Sequence, residues 1–185
     1  MSKKSRHTDE KSRGSILFDW VKTFVFVIVV VVLVFTFLGR IVFVDGSSMV
    51  PTLSDRDGML VTSYLFSEPE PGDIVVFRKD AYDSQPLVKR VIATEGQTVD
   101  IDFENGVVSV DGETLDEPYI AEPTHVHYDV LFPVTVERGC IFVLGDNRNG
   151  STDSRYSVIG AVDKREVIGQ VRLVIFPFSH FGGVD

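Results

Sequence analysis

Residues 23–39 read TFVFVIVVVVLVFTFLG, a run with no charged side chain and almost nothing but Val, Phe, Ile and Leu. At about 1.5 Å per helical residue the run covers roughly 25 Å, slightly less than a hydrocarbon core of about 30 Å. Phe18 and Trp20 extend the same helix into the interface, where an indole sits well. A fully buried β-strand can be equally apolar, but it is usually about 4–8 residues long, so length selects a membrane helix.

Outward from this run the charge is uneven. The chain has 185 residues and a formal net charge of -9, from 27 acidic and 18 basic groups. Residues 1–22 hold six basic groups against three acidic ones, net +3, and the remainder of the chain carries net -12. Basic residues beside a single span hold that side in the cytoplasm, which places the remainder outside. The expected organisation is a basic cytoplasmic tail over 1–15, an anchor over 16–39, and an extracytoplasmic domain over 40–185. A removable signal peptide is the alternative, with Val44 and Gly46 small enough for a cleavage site. The apolar run is longer than the roughly 7–15 residues of a signal h-region, and Arg40 follows it directly, so the anchor reading stands. The acidic balance also argues against a nucleic-acid partner, whose phosphates call for a basic face.

Beyond residue 40 the chain is punctuated like a β protein. Short apolar or alternating runs occur at RIVFV (40–44), GMLVT (58–62), DIVVF (73–77), LVKRVIA (87–93), TVDIDF (98–103), GVVSVD (106–111), GCIFVLG (139–145) and VIGQVRLVIF (167–176). Glu104–Asn105–Gly106 and Asp111–Gly112 are hairpin-turn signals, so 98–116 reads as a small meander. The acidic, Pro-containing stretch 113–137 reads as loop, and a helical turn is expected near 163–167. The only cysteine, Cys140, precludes an intramolecular disulfide, and its apolar setting suits a buried structural thiol better than a nucleophile. His125 and His127 share one face of an extended segment; with no further ligands at metal spacing, a solvated pair is the better reading.

Three clusters carry candidate chemistry. Asp45–Gly46–Ser47–Ser48–Met49–Val50–Pro51–Thr52–Leu53 presents hydroxyls on a stiffened turn, which is a nucleophile's setting or simply a turn. It is not the α/β-hydrolase elbow, because Val50 stands where that motif needs Gly. Lys89 lies in LVKRVIA on the face of Leu87 and Val91, opposite Val88 and Arg90. Such a lysine either snorkels to the surface or is buried and loses its proton. Lowering a lysine pKa by about 3 units costs roughly 4 kcal/mol, and a neutral lysine can replace histidine as the base for a serine. The third cluster, Gly145 to Tyr156, is either a polar surface loop or a rigid hydrogen-bonded one that offers a hydroxyl to the lysine.

Together, in this order after an N-terminal hydrophobic segment, these clusters resemble the bacterial type I signal peptidases, in their short, Gram-positive-like form. GSSMVPTL (46–53) is similar to the family's serine box, PGDIVVF (71–77) to its third conserved box, LVKRVIATEGQTV (87–99) to its lysine box and GDNRNGSTDSR (145–155) to its last. The resemblance implies a mainly β signal-peptidase-type domain behind a single transmembrane helix, with a small insertion over 97–138. It implies a membrane-bound serine endopeptidase working by a Ser–Lys dyad, Ser48 as nucleophile and Lys89 as general base. Ser151 is then the hydroxyl that orients the lysine, Asp153 and Arg155 brace the site, and Met49 and Val88 shape the substrate pockets. Position 46 is Gly where some members carry an oxyanion-hole serine, so the backbone N–H of Ser48 takes that duty. No cofactor and no metal are implied. The implied partners are preprotein signal peptides with small residues at -1 and -3, the lipid bilayer of the plasma membrane, and a nearby secretion translocon. Two other readings compete. A self-cleaving repressor-type Ser–Lys peptidase lacks the membrane helix, and a non-enzymatic single-span protein leaves the Ser and Lys boxes unexplained.

Overall fold

The protein is described from a computed structural model that covers residues 13–37, 39–63, 68–82 and 85–184; within the first helix, side chains are described for 16–32. That helix, α1, runs Arg13–Phe37 over 25 residues. Among the described residues no helix is long and apolar enough to cross a membrane. Residues 1–12 of the expected basic tail lie outside the described residues. The chain divides into two compact units, 1–38 and 39–185.

The second unit is mainly β and antiparallel. Its strands are β1 (Arg40–Phe43), β2 (Gly58–Thr62), β3 (Ile74–Phe77), β4 (Leu87–Thr94), β5 (Thr98–Asp102), β6 (Val107–Val110), β7 (Glu113–Thr114), β8 (Val134–Thr135), β9 (Cys140–Leu144), β10 (Val162–Asp163), β11 (Val167–Phe176) and β12 (Gly182–Gly183). The large sheet has the order β1-β2-β11-β3-β4-β9-β10, with β12 added alongside β11. A four-stranded sheet, β7-β6-β5-β8, is built from the intervening segment.

The burial pattern explains the sequence pattern. Strand β3 is apolar throughout because both of its faces are covered: Ile74 and Val76 enter one core cluster with Met49, Leu53 and Val171, whereas Val75 and Phe77 enter another with Val91, Ile141 and Val143. In β5 only Val99 and Ile101 are buried while Asp100 and Asp102 face out, so the apolar residues alternate. The hairpin β6–β7 turns on Asp111 and Gly112, both with positive φ (53° and 83°), as a two-residue turn matched to strand twist requires. The helical turn expected near 163–167 is a short 3-10 helix, Lys164–Glu166, closed by a capping box from Asp163.

Two of the unpaired strand edges among the described residues lie on β1 and β4. Strand β1 pairs only with β2. Strand β4 pairs with β3 along 87–90, but β9 covers its other side only from Arg90 onward. Among the described residues, Leu87, Val88 and Lys89 therefore have no strand partner on that side.

Candidate active site

Ser48 follows β1 in a turn held by local bonds: the Val50 N–H donates to the Ser47 carbonyl and the Gly46 N–H to Asp55 Oδ1. Asn147, from the loop after β9, clamps the same turn. Its backbone N–H donates to the Ser48 carbonyl at 3.1 Å and its side-chain amide to the Ser47 carbonyl at 3.1 Å. Gly145 lies directly against this contact, and a Cβ there would collide with both the Ser151 side chain and the Ser48 carbonyl. The Ser48 backbone N–H has no acceptor among the described residues.

Lys89 comes to this turn from β4. Its Nζ lies 2.8 Å from Ser48 Oγ and donates to the Val88 carbonyl at 2.9 Å. The side chain is buried, 3% exposed. Burial pulls its pKa from 10.5 to about 8, and the carboxylates of Asp153 and Asp146 oppose that fall only partly. The surface-snorkelling alternative does not hold. A lysine with a pKa of about 8 next to a hydroxyl is a base able to activate it near neutral pH.

The loop after β9 holds the largest buried charges. Asp153 and Arg155 are both fully buried and joined at 2.8 Å, and the same arginine donates to the carbonyls of Val126, Arg148 and Ser151. Asp153 also accepts from the Gly145 N–H. The surface-pair reading of these two residues fails on burial alone. Ser151 is buried beside the Ser48 turn, and its Oγ has no hydrogen-bond partner. Lys89 is thus held by Ser48 and the Val88 carbonyl rather than by Ser151.

The open edges, the buried lysine and the braced serine turn fit peptide hydrolysis, and comparison with known proteins agrees. Residues 17–176 match the family described as signal peptidase, peptidase S26. The chain belongs to the S26 signal peptidases. It is 41% identical to a probable signal peptidase I-1 from Synechocystis sp., over 76% of this chain and 72% of that protein. With signal peptidase I of Bacillus licheniformis it shares 36% identity over 96% of this chain and the whole of that protein. A crystal structure of a signal peptidase I from Enterococcus faecalis V583 matches 57% of this chain and 97% of that chain, with a TM-score of 0.46 and 31% identity. Membership makes this protein a serine endopeptidase of the signal-peptide-processing class.

The peptidase also relies on residues that sequence reading passed over. Arg90, the neighbour of Lys89 on the opposite face of β4, forms a buried bidentate pair with Asp146 at 2.9 and 2.8 Å and stacks on Tyr119. Asp146 accepts a further bond from Thr52 Oγ1 at 2.5 Å. One carboxylate therefore ties the serine turn, the lysine strand and the last loop together. Arg148 pairs with Glu117 in the same interior, so the stretch read as loop supplies a buried counter-charge. A cation inside an apolar strand was the available signal for Arg90, since a buried guanidinium requires a partner. Met49 is itself core, 1% exposed, and Val88 is half-buried against the same cluster. Cys140 is partly buried and packs on the core of the small sheet; burial pushes its thiol pKa up. The His127 ring packs edge-on against Phe103, and His125 meets the Phe103 carbonyl.

Proposed function

We propose that this signal peptidase is anchored in the plasma membrane by a single span and cleaves preproteins with a Ser48–Lys89 dyad. The 2.8 Å contact between Lys89 Nζ and Ser48 Oγ carries the reading, because it joins a nucleophile to a base already pulled toward neutrality by burial. Neutral Lys89 accepts the Ser48 hydroxyl proton as Oγ attacks the scissile carbonyl. The resulting ammonium returns that proton to the departing amine. Neutral again, Lys89 takes a proton from the water that opens the acyl-enzyme. The free backbone N–H of Ser48 is directed to the oxyanion.

The substrate lies extended between the open edge of β1 and the free edge of Leu87–Lys89, adding a strand to the sheet. Val88 borders this groove and Met49 shapes it from beneath, which leaves room for small residues at -1 and -3. Asp153 and Arg155 hold the last loop against the serine turn, and the Ser151 hydroxyl orients Lys89 during the reaction, a role supported by its lack of any other partner among the described residues. Residues 16–39 form the anchor, a reading supported by the uncharged apolar run over 23–39. The basic tail over 1–15 stays in the cytoplasm, and 40–185, with its insertion at 97–138, faces outward where a signal peptide leaves the translocon.

The test is cleavage of a membrane-inserted preprotein by Ser48→Ala, Ser47→Ala and Lys89→Ala variants. Loss of cleavage is expected in the first and third and near-normal cleavage in the second. Full activity in either dyad variant would sink the assignment. Loss in Ser47→Ala with Ser48→Ala active would move the nucleophile by one residue.

A further inference from the structure

We infer that the end of the large sheet nearest α1 in sequence carries a binding site for a phosphate-bearing anion, filled by the headgroup of an anionic membrane lipid. A cleft of about 590 Å³ lies there, lined by Arg40, Arg78, Lys79 and Arg165 with Asp80 and Glu166 among them. The topology assembles it. Arg40 opens β1, Arg78 and Lys79 lie just past the end of β3, and Arg165 and Glu166 immediately precede β11. Antiparallel pairing brings the end of β3 and the start of β11 side by side, with Val167 opposite Phe77. Neither Ser48 nor Lys89 lines the cleft, so it is separate from the dyad.

Its charge is out of keeping with the surroundings. Residues 40–185 hold twelve basic groups against twenty-four acidic ones. Four of the twelve, Lys89, Arg90, Arg148 and Arg155, are buried around the serine turn. Of the eight that remain, four line this one cleft. Lys79 is neutralised by Glu166 at 2.9 Å and Arg165 by Asp163. Arg40 and Arg78 have no ion pair among the described residues and are exposed. Two guanidiniums without an ion pair among the described residues, one from the start of β1 and one from the loop after β3, thus line a cleft suited to phosphate oxygens, which arginine binds in a bidentate manner.

The same chemistry would suit a free phosphate or a lipid headgroup, and chain connectivity favours the lipid. Arg40 is three residues beyond Phe37, the last residue of α1, and three residues reach at most about 11 Å. With the helix in the bilayer, Arg40 is confined to the headgroup layer, where anionic phosphodiesters are concentrated. This choice of ligand rests on the anchor reading; the anion site itself does not.

The experiment uses the full chain in nonionic detergent micelles and follows thermal unfolding. The additives are dihexanoyl phosphatidylglycerol, dihexanoyl phosphatidylcholine and inorganic phosphate, each tested on the wild type and on Arg40→Gln/Arg78→Gln. The anionic lipid at about 100 times its dissociation constant is expected to raise Tm by about 5–10 °C. The shift should shrink in 0.5 M salt and fall below about 1 °C in the double variant. Both substituted side chains are exposed, and unaltered cleavage of a soluble peptide by the variant shows that its fold is intact. No shift with phosphatidylglycerol, or an equal shift in the double variant or with phosphatidylcholine, overturns the site. An equal shift with inorganic phosphate overturns the lipid as its occupant. Release of the chain from membranes by alkaline carbonate would count against the anchor alone and is scored separately.

Discussion

Replacing Lys89 with Met should make the folded protein more stable at neutral pH and inactive. The structure holds Lys89 buried with its pKa drawn from 10.5 to about 8, so the charged form is disfavoured in the fold. Below pH 8 both the folded and the unfolded chain keep the proton, and the whole penalty is present. At about 1.36 kcal/mol per unit, a fall of roughly 2.5 units costs about 3 kcal/mol. Between pH 8 and 10.5 the unfolded chain binds more protons than the folded one, so wild-type stability rises with pH. Above 10.5 both states are neutral and the penalty is gone. Methionine has a similar reach and no charge, and it forfeits the bonds to Ser48 Oγ and the Val88 carbonyl at a cost that does not vary across this pH range. The pH-dependent part is therefore the signal: the advantage of Lys89→Met should shrink by about 2–3 kcal/mol between pH 7 and pH 10. Urea unfolding of both proteins in the same micelles at the two pH values measures it. Parallel pH profiles would show that Lys89 titrates in the fold as it does in the unfolded chain, and the argument for a neutral base would go with them.

The same pKa sets the rate profile: kcat/KM should rise about tenfold between pH 7 and pH 9, as the neutral fraction of Lys89 climbs from about 9% to about 91% around a midpoint near 8; a flat profile in stopped-time peptide assays would exclude the lysine as base. Ser151→Ala removes a buried hydroxyl that has no partner, so Tm should hold or rise, by up to about 1 kcal/mol of stability, while cleavage falls at least tenfold. A loss of stability matching the loss of activity would assign Ser151 to packing alone. Asp153→Asn leaves the Arg155 guanidinium buried against a neutral partner and should cost about 3–5 kcal/mol in urea unfolding. Adding Arg155→Met to that variant should return part of the loss, and no return would show that the pair does not act as a unit.

The strand skeleton of the β-rich unit was legible because its burial is regular. LVKRVIA and TVDID announce themselves by apolar or alternating residues, and the chain folds them as β4 and β5. The strands β8, β10 and β12 were not legible, since two residues carry no period, whereas β7 was reached only through the Asp111–Gly112 turn signal. Ser48 and Lys89 could be picked out by residue type and setting, yet their contact could not, because it joins positions 41 apart in sequence. The tie through Asp146 escaped for the same reason: Thr52 lies 94 residues before its acceptor and Arg90 56 residues before. Pattern analysis assigns Arg90 to the face opposite Lys89 and says nothing of what waits there. Nor could it show that the Ser151 hydroxyl is left without a partner, a matter of distances within a packed loop rather than of composition.

The Asp146 tie also joins early and late parts of the chain. The serine turn comes near the start of the β-rich unit and the lysine strand follows it, but the carboxylate that fastens both comes only after β9. A chain made only as far as β4 thus holds Ser48 and Lys89 without the carboxylate that fastens their segments, and without the Asn147 clamp on the serine turn. The packing around Ser48 and Lys89 is therefore complete only once the chain through Asn147 is present and has folded back onto the earlier strands.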